Sequence, residues 1–194
     1  MPSDRGRTAW VGLATATVAD SVPAATVLDP GIRHLAGPQE MAGPAWTART
    51  GPGGYAAVRD AISSAPPGSV LVLAGEGDLE RAIWGEVSTA LARSRGVTGV
   101  IVDGAVRDLA ALRRDELAIF ARGSTPRGPA HEVGGEIRVA IACGGTTIAP
   151  GDLVIADADG IVIIPAAAAE SGLGLARTAA ERERARLAAL GGSG

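Results

Sequence analysis

An arginine and an aspartate stand side by side shortly after a buried-strand pattern. Val100–Val102 is followed by Asp103-Gly104 and, two apolar residues later, by Arg107-Asp108. Ligands of α/β proteins bind just beyond the carboxyl ends of strands. A guanidinium grips a carboxylate through two parallel N–H groups, and an aspartate offers hard oxygen ligands to a divalent cation. The pair therefore indicates a site for a metal ion and an anionic substrate, with a surface salt bridge as the alternative.

Other polar residues are candidates for the same rim of the sheet. Glu76 and Asp78 follow the apolar run Val70–Ala74, so we expect their loop to join that rim. Asp78 is a candidate for orienting water or a metal-bound ligand, and a helix N-cap is the alternative. Three further side chains are candidates for binding an anionic substrate, or alternatively for surface ion pairs: Arg122, Arg127 and His131.

The composition excludes several classes of function. The 194 residues carry a net charge of −3 and only 3% aromatic residues, which disfavours direct nucleic-acid binding. All 18 basic residues are arginine, so the Schiff base of a class I aldolase and the lysine of a phosphate loop are excluded. Cys143 is the only cysteine, and its apolar neighbours indicate a buried residue rather than a nucleophile.

The chain length fits a single domain over residues 1–194, with flexible ends at 1–7 and 191–194. We see no signal-peptide pattern and no apolar stretch long enough to span a membrane. We therefore expect a cytoplasmic protein with no membrane partner.

The first part of the chain predicts strands that alternate with helices. Continuous apolar runs at Val70–Ala74 and Val100–Val102 are typical of parallel strands buried on both faces. Two further strands are predicted at Ala45–Arg49 and Leu117–Ala121. Helices are predicted at about 8–21, Tyr55–Ser63, Leu79–Arg95 and Leu109–Arg114. The third of these has an apolar stripe of Ile83, Val87, Ala90 and Leu91, and Gly96 as its C-terminal cap.

The second part predicts short strands separated by turns, which favours an antiparallel or mixed sheet. These strands are Glu136–Ala142, Thr146–Ile148, Leu153–Ala156 and Gly160–Ile164, followed by a helix from Ala166 to about Leu190. Asp157-Ala158-Asp159-Gly160 resembles the start of a calcium loop but lacks the later ligands, so a tight turn is predicted.

These segments resemble the RraA-like family, which contains the class II 4-hydroxy-4-methyl-2-oxoglutarate aldolases and the RraA regulators of ribonuclease E. The resemblance covers most of the chain in order and spacing. It is carried by Gly85-Glu86, Asp103–Asp108, Phe120–Pro129, Cys143–Gly145, Pro150–Pro165 and, earlier, by Thr15–Asp20, Asp29–Arg33 and Met41–Ala45.

The resemblance implies a compact α/β/β/α sandwich of the swivelling-domain type, with a mixed central sheet or barrel flanked by helices. Such proteins are usually a homotrimer or a dimer of trimers, with sites at subunit interfaces. The resemblance also implies that Asp108 is the ligand of Mg²⁺ or Mn²⁺ and that Arg107 binds the substrate.

The family's substrate-binding segment corresponds to Gly85, Glu86, Val87 and Ser88. Gly85 permits a close backbone approach, and the first amides of a helix favour an anion. A solvent-facing helix residue is the alternative for Glu86.

One position departs from the aldolase members of the family. In them, Arg-Asp is followed after two residues by Glu or Asp, and here that position is Ala111. If the missing carboxylate organises the water shell of the metal, its loss weakens that support. Asp115 and Glu116 lie one turn further on and are candidate substitutes.

We therefore expect a divalent-metal-dependent lyase that acts on a small anionic 2-oxo acid. It would release pyruvate by retro-aldol cleavage, or decarboxylate oxaloacetate, through a metal-stabilised enolate. Two alternatives remain open. One is a non-catalytic protein-binding regulator of a ribonuclease, and the other is a biosynthetic tailoring enzyme that uses the same site on a larger substrate.

Overall fold

The computed structural model describes residues 9–130 and 134–191. The strands are β1 (Thr26–Val27), β2 (Arg33–Ala36), β3 (Met41–Thr50), β4 (Val70–Trp84), β5 (Gly99–Val106), β6 (Ala118–Ser124), β7 (Gly135–Ile137), β8 (Ile141–Cys143), β9 (Thr146–Ile148), β10 (Leu153–Ala156) and β11 (Ile161–Ile164). The helices are α1 (Thr15–Ser21), α2 (Ala56–Ser64), α3 (Glu86–Ser94), α4 (Leu109–Leu112) and α5 (Ala169–Ala189), with a 3-10 helix at Ala166–Ala168.

One mixed sheet runs through the molecule in the order β1-β11-β10-β3-β4-β5-β6-β2, and β7 pairs with β3. The neighbours from β3 to β6 are parallel. The pairs from β3 through β10 and β11 to β1 are antiparallel, and β8 and β9 form a separate hairpin. The predicted change from parallel strands to short antiparallel ones is confirmed.

Three apolar clusters separate four layers. Every residue of β5 is buried, and its side chains alternate between two of the clusters. Val100 and Val102 pack towards α2 and α3, whereas Ile101 packs towards the β8–β9 hairpin and β11. A third cluster joins α1 and α5 to the outer face of β10 and β11. These layers confirm the expected α/β/β/α sandwich with helices on both outer faces.

The prediction of a helix from Leu79 to Arg95 was wrong in its first third. Residues up to Trp84 belong to β4, and α3 begins only at Glu86. The apolar stripe was misleading because Val87 and Leu91 are 69% and 48% exposed, while α3 buries small side chains at Ser88, Thr89 and Ala92. Gly96, with φ 75°, follows the end of α3 as predicted.

The loop predicted around Glu76 and Asp78 is an irregular middle portion of β4. Glu76 and Gly77 have φ values of 58° and 72°, and the register with β5 shifts between Ala74 and Asp78. Asp78 is therefore not a helix N-cap, and its Oδ1 accepts the N–H of Glu80 at 2.8 Å. This interruption lets β4 resume as a strand that reaches Trp84, opposite the last residue of β5.

Smaller corrections concern the ends of elements. The predicted strand Glu136–Ala142 is divided into β7 and β8 near Arg138, which has φ 58°. The first helix begins at Thr15 rather than near residue 8. The predicted flexible ends lie outside the described residues except Gly191, which follows α5. Within residues 9–130 and 134–191, no helix is long and apolar enough to cross a membrane.

Asp157, in the predicted turn, stabilises the first helix although the two are far apart in the sequence. The Asp157 carboxylate accepts the N–H of Thr15 at 2.8 Å and its hydroxyl at 2.6 Å, at the start of α1, where backbone N–H groups lack partners within the helix. Burial acts to raise the pKa of Asp157, but hydrogen bonds from Thr15, Asp159 and Gly160 outweigh it and lower that pKa below 3.8.

We expect Asp157→Ala to lower the free energy of unfolding by about 1–2 kcal/mol at pH 7, the usual cost of a lost helix cap. Because the folded pKa of Asp157 is depressed, its contribution is present above the unfolded value of 3.8 and is lost as pH falls through the folded value. Urea unfolding of wild type and variant at pH 7 and pH 3 tests this. The difference in free energy of unfolding between wild type and Asp157→Ala should be smaller at pH 3 than at pH 7. As a control, Asp159→Asn should have the same free energy of unfolding as wild type at pH 7. A difference that stays constant with pH would contradict the role of the ionised Asp157 carboxylate in stabilising α1.

Candidate active site

The Arg107–Asp108 pair leaves the sheet where three strands end together. The N–H of Arg107 donates to the carbonyl of Trp84 at 2.9 Å, and the N–H of Thr125 donates to the carbonyl of Val106 at 3.0 Å. The last residues of β4, β5 and β6 thus fix the backbone just before the pair. This is the carboxyl edge of the parallel strands, as the sequence predicts.

Asp108 occupies a backbone conformation that few residues adopt. Its φ and ψ are 60° and 34°, in the left-handed region that Asp and Asn tolerate better than most residues. Its carbonyl accepts the N–H groups of Ala111 and Leu112 at 2.9 and 3.0 Å, so the short helix α4 holds the residue in place. Such strain is concentrated at functional sites.

The Asp108 carboxylate lies over the start of α3. Its Oδ2 accepts the N–H of Glu86 at 3.1 Å and lies 3.6 Å from Nε of Arg107. The side chains of Arg107 and Asp108 are 43% and 40% exposed. Within the described part of the chain, no other hydrogen bond reaches this carboxylate, so Oδ1 keeps its capacity to accept one.

Two glycines make room for the pair. A Cβ at Gly85 would lie 2.6 Å from Oδ2 of Asp108 and 3.0 Å from Cγ of Arg107. A Cβ at Gly128 would lie 2.7 Å from Nη1 of Arg107. The close approach that the sequence predicts for Gly85 is therefore specific to these two side chains.

The corner between β4 and α3 is fixed by buried hydrogen bonds. The indole N–H of Trp84 donates to the Thr89 hydroxyl at 2.8 Å, and that hydroxyl donates to the carbonyl of Gly85 at 3.0 Å. Trp84 and Thr89 are both about 1% exposed. This corner holds the N–H of Glu86 in position towards Asp108.

A cavity of about 220 Å³ opens beside the pair. Its wall combines apolar side chains, two hydroxyls and the two charged groups. The lining residues are Tyr55, Ala82, Ile83, Trp84, Gly85, Val87, Ser88, Arg107, Asp108 and Pro129. A larger cavity of about 300 Å³ lies near Trp10 and Asp157, where the carboxylate already binds the start of α1.

The structure brings most of the predicted substrate-binding segment to this cavity. Gly85, Val87 and Ser88 line it together with Arg107 and Asp108. Glu86 contributes its backbone N–H to Asp108, and its side chain is exposed.

Arg122 lies elsewhere, on the opposite face of the sheet. Its Nε donates to Oδ1 of Asp103, and its Nη1 donates to Oδ2 of Asp29 at 2.7 Å. The N–H of Gly144 donates to the other oxygen of Asp103 at 3.0 Å. Hydrogen bonds from Gly31 and then Arg122 lower the pKa of Asp29. Arg122 is thus a structural ion-pair centre, the alternative that the sequence left open.

Three of the remaining accessory candidates, Glu76, Asp78 and Arg127, are not among the described residues that line the cavity. Glu76 and Asp78 belong to the irregular part of β4, where Gly77 approaches Arg122. Arg127 lies 3.8 Å from Glu80 in an exposed pair. His131 lies outside the described residues.

Asp115 and Glu116, the candidate substitutes for the family carboxylate that is missing at Ala111, have different surroundings. Asp115 uses both oxygens: Oδ2 accepts from Arg93 at 2.9 Å, and Oδ1 accepts the N–H of Leu117 at 3.1 Å. Glu116 is exposed. Asp115 is therefore committed to its own contacts and does not replace a carboxylate at Ala111.

Cys143 is buried at 1% exposure, and burial, reinforced by the charge of Asp103, raises its thiol pKa far above the ordinary value. The expectation that Cys143 is buried is confirmed. The sequence reasoning missed Tyr55, which lines the cavity. Its only signal is that it is the single tyrosine of the chain.

The donor set fits a weakly held, hydrated cation. Within residues 9–130 and 134–191, no group of three or more His, Cys, Asp or Glu side chains is placed to hold a metal ion. Mg²⁺ keeps several waters and uses one or two protein carboxylates together with substrate oxygens. Oδ1 of Asp108 accepts no hydrogen bond from the described residues and suits that mode of binding. A cage made only of protein ligands is not present in the described chain.

The family model described as "RraA-like: Aldolase/RraA" matches residues 15–163. The chain belongs to the RraA-like family. The matched range includes Arg107, Asp108 and the whole cavity wall, so the family resemblance seen in the sequence is confirmed.

Individual relatives of this RraA-like protein carry different names. A protein from Halalkalibacterium halodurans named "Putative 4-hydroxy-4-methyl-2-oxoglutarate aldolase" is 36% identical over 176 residues, covering 91% of this chain and 84% of the relative. The RNA-processing inhibitor RraA from Thermus thermophilis is 32% identical, with a TM-score of 0.74 over 78% of this chain and 92% of that one.

A structure named S-adenosylmethionine: 2-dimethylmenaquinone methyltransferase, from Geobacillus kaustophilus, is 31% identical. Its TM-score is 0.75, over 78% of this chain and 94% of that one. Three names for one fold mean that the reaction must be argued from the site.

If Asp108 is the metal ligand that the sequence resemblance implies, Gly85→Ala should weaken binding of Mn²⁺ in the presence of pyruvate by about tenfold or more, the usual effect of disturbing the support of a metal ligand. The added Cβ would displace Asp108 and Arg107 by contact, since Gly85 is extended at φ −167°. Isothermal titration calorimetry measures the change. Gly174→Ala is the control, because nothing lies within 4 Å of a Cβ there. Equal affinity in Gly85→Ala and wild type would contradict the geometry.

Proposed function

We propose that this protein is a divalent-metal-dependent lyase that cleaves a C–C bond of a small 2-oxo acid and releases pyruvate. The observation that supports this most is the exposed Arg107 guanidinium beside the exposed Asp108 carboxylate at one cavity. The Arg107 guanidinium suits the carboxylate of the 2-oxo acid. The Asp108 carboxylate suits a divalent cation that the oxygens of the acid also bind.

Arg107 is proposed to bind and orient the substrate carboxylate. Its Nε lies 3.6 Å from Asp108, beyond hydrogen-bond distance for N–H to oxygen. The guanidinium therefore keeps donor capacity for a two-pronged contact with an incoming carboxylate. Its position is set by the lack of side chains at Gly85 and Gly128.

Asp108 is proposed to hold Mg²⁺ or Mn²⁺ through Oδ1, with waters completing the coordination. A divalent cation at this position supplies Lewis acidity that stabilises negative charge developing on the substrate's carbonyl oxygen. The Glu86 N–H at the start of α3, 3.1 Å from Oδ2, fixes the direction of the carboxylate.

The reaction requires little covalent chemistry from the chain itself. In the retro-aldol reaction the C3–C4 bond breaks, and its electron pair passes into the enolate of one pyruvate. The C4 hydroxyl loses its proton to water and becomes the carbonyl of the second product, and C3 takes a proton from water. With oxaloacetate, the C3–C4 bond breaks to release CO₂, and C3 again takes a proton from water.

The size of the cavity favours a small substrate. Its volume of about 220 Å³ is below the range of roughly 300–1,000 Å³ typical of pockets for drug-sized ligands. A tailoring enzyme for a larger molecule is therefore less favoured. The name of the Halalkalibacterium relative, an aldolase for a six-carbon 2-oxo acid, agrees with this limit.

A binding role similar to that of the RNA-processing inhibitor is the second candidate. Ala111 lacks the family carboxylate, and Asp115 is committed to Arg93, so metal support is reduced. Val87 and Leu91 are exposed one turn apart on α3, which offers an apolar contact to a partner protein.

We expect pyruvate release from oxaloacetate or 4-hydroxy-4-methyl-2-oxoglutarate to require Mg²⁺ or Mn²⁺ and to stop with chelator. Asp108→Asn keeps the side-chain shape and the tolerance for left-handed backbone, and should lower kcat/KM at least about 100-fold. Asp60→Asn is the control, since Asp60 is an exposed residue of α2. Turnover that survives chelator or Asp108→Asn would refute the proposed function, and absence of any turnover would favour the binding role.

We expect Ala111→Glu to tighten Mn²⁺ binding by roughly tenfold, because a carboxylate that supports the water shell typically changes affinity by that amount. Ala111 is partly exposed in α4 and donates its N–H to Asp108, so a longer side chain has room. Titration of Mn²⁺ followed by electron paramagnetic resonance compares the variant with wild type and with Ala111→Gln, which adds similar bulk without charge. An equal effect of Glu and Gln would show that charge is not the missing element.

A further inference from the structure

A third cavity, of about 250 Å³, lies at the opposite edge of the sheet from Arg107 and Asp108. Ala45 in its wall pairs with Val70, the first residue of β4, and Ser69 of the wall precedes that residue. Arg107 and Asp108 instead follow the last residue of β5. No described residue lines both this cavity and the one beside Arg107. The third cavity is therefore a separate candidate site.

Most polar groups in the wall of this cavity already have partners. The N–H of Ala45 donates to the carbonyl of Asp152 at 2.7 Å, and the N–H of Gly151 donates to the carbonyl of Ala45 at 2.9 Å. The N–H of Ala166 donates to Oδ1 of Asp152 at 3.1 Å. The Ser69 hydroxyl donates to a backbone carbonyl at 2.7 Å. The wall also contains three prolines, which have no N–H: Pro44, Pro66 and Pro150.

Two side chains of the wall keep hydrogen-bond donors without an acceptor. Trp46 is 7% exposed, and its indole N–H is buried with no partner among the described residues. The guanidinium carbon of Arg138 lies 5.0 Å from the centre of the Trp46 ring, and within the described chain Arg138 makes no ion pair. A buried donor without an acceptor destabilises the folded protein. Because indole and guanidinium groups only donate, this wall suits a negatively charged acceptor.

Arg138 is anchored to the core in a backbone conformation that few side chains adopt. Its φ of 58° lies in the left-handed region. Its N–H donates to the carbonyl of Thr47 at 2.8 Å, and the Thr47 hydroxyl donates to the carbonyl of Val139 at 2.7 Å. Thr47 is fully buried. The core thus holds the backbone of an exposed arginine in a strained conformation, and such strain is concentrated at functional sites.

We infer that this cavity binds a small monocarboxylate with a flat apolar body, such as an aromatic acid. The Arg138 guanidinium binds the carboxylate through two N–H groups, and the prolines and the Trp46 ring pack against the body. The indole nitrogen of Trp46 is covered in this structure, and the long, exposed Arg138 side chain on its ring is the neighbour that can move to admit an acceptor. The inference does not rest on the proposed function, because it uses no residue of the cavity beside Arg107.

The test uses benzoate as the probe and benzamide, which has the same shape without the charge, as its control. Proton–nitrogen correlation NMR of the full chain resolves the indole N–H signals, and the signal lost in Trp46→Phe belongs to Trp46. Benzoate should shift that signal in wild type, and benzamide should not. Arg138→Gln should weaken benzoate binding at least about tenfold, the loss expected for a charge-assisted contact. Arg177→Gln, which removes the same charge from an exposed position of α5, should bind benzoate as wild type does.

A second control separates this cavity from the proposed active site. Arg107→Gln should leave the benzoate-induced shift of the Trp46 signal unchanged, and loss of the shift there would overturn the inference. A Trp46 signal that benzoate does not move, or equal effects of benzoate and benzamide, would also overturn it. Equal benzoate affinity in Arg138→Gln and wild type would do the same. Because Arg138 is exposed, its variants should fold and decide the question even if Trp46→Phe does not.

Discussion

The site depends on a single charge-assisted hydrogen bond, from the Glu86 N–H to the Asp108 carboxylate at 3.1 Å. The donor is at the start of α3, and the acceptor follows β5. They meet only because β4, after its irregular middle portion, resumes as a strand that ends opposite β5 at Trp84. Gly85 then turns the chain into α3 without a side chain that would collide with Asp108. A hydrogen bond to a charged group contributes about 1.5–3 kcal/mol when buried and less when exposed.

Two arginine–aspartate groups occupy the same end of the sheet with opposite consequences. Arg122 lies between the carboxylates of Asp103 and Asp29 and donates a hydrogen bond to each, so it links the elements that carry them. Among the described residues, Arg107 has one carboxylate neighbour, Asp108 at 3.6 Å, and its side chain remains 43% exposed. The fold thus separates a structural cation, on the face covered by the β8–β9 hairpin, from one that is available to an anionic ligand at the cavity.

The sequence predicts those parts of the site that depend only on the pattern of apolar and charged residues within one strand and the turn after it. The apolar run before Asp103 specifies a buried strand, and Arg107 and Asp108 must then lie at its carboxyl edge. The end of β4 is not predictable in this way, because Ile83 and Val87 have the spacing of a helix stripe although they lie in different elements. Tyr55 is also beyond local reasoning, since its partner Ser88 is 33 residues away and only the packing of α2 against α3 brings them together.

We propose that Asp108 holds the cation and Arg107 holds the acid in one site. Calorimetric titration of Mn²⁺ with and without oxalate, a stable dianion that resembles the enolate of pyruvate, tests it most directly. We expect oxalate to tighten Mn²⁺ binding in wild type, Asp108→Asn to lose metal binding in both conditions, and Arg107→Gln to lose only the oxalate effect. Mn²⁺ binding that is unchanged in Asp108→Asn would contradict the assignment of Asp108 as the metal ligand.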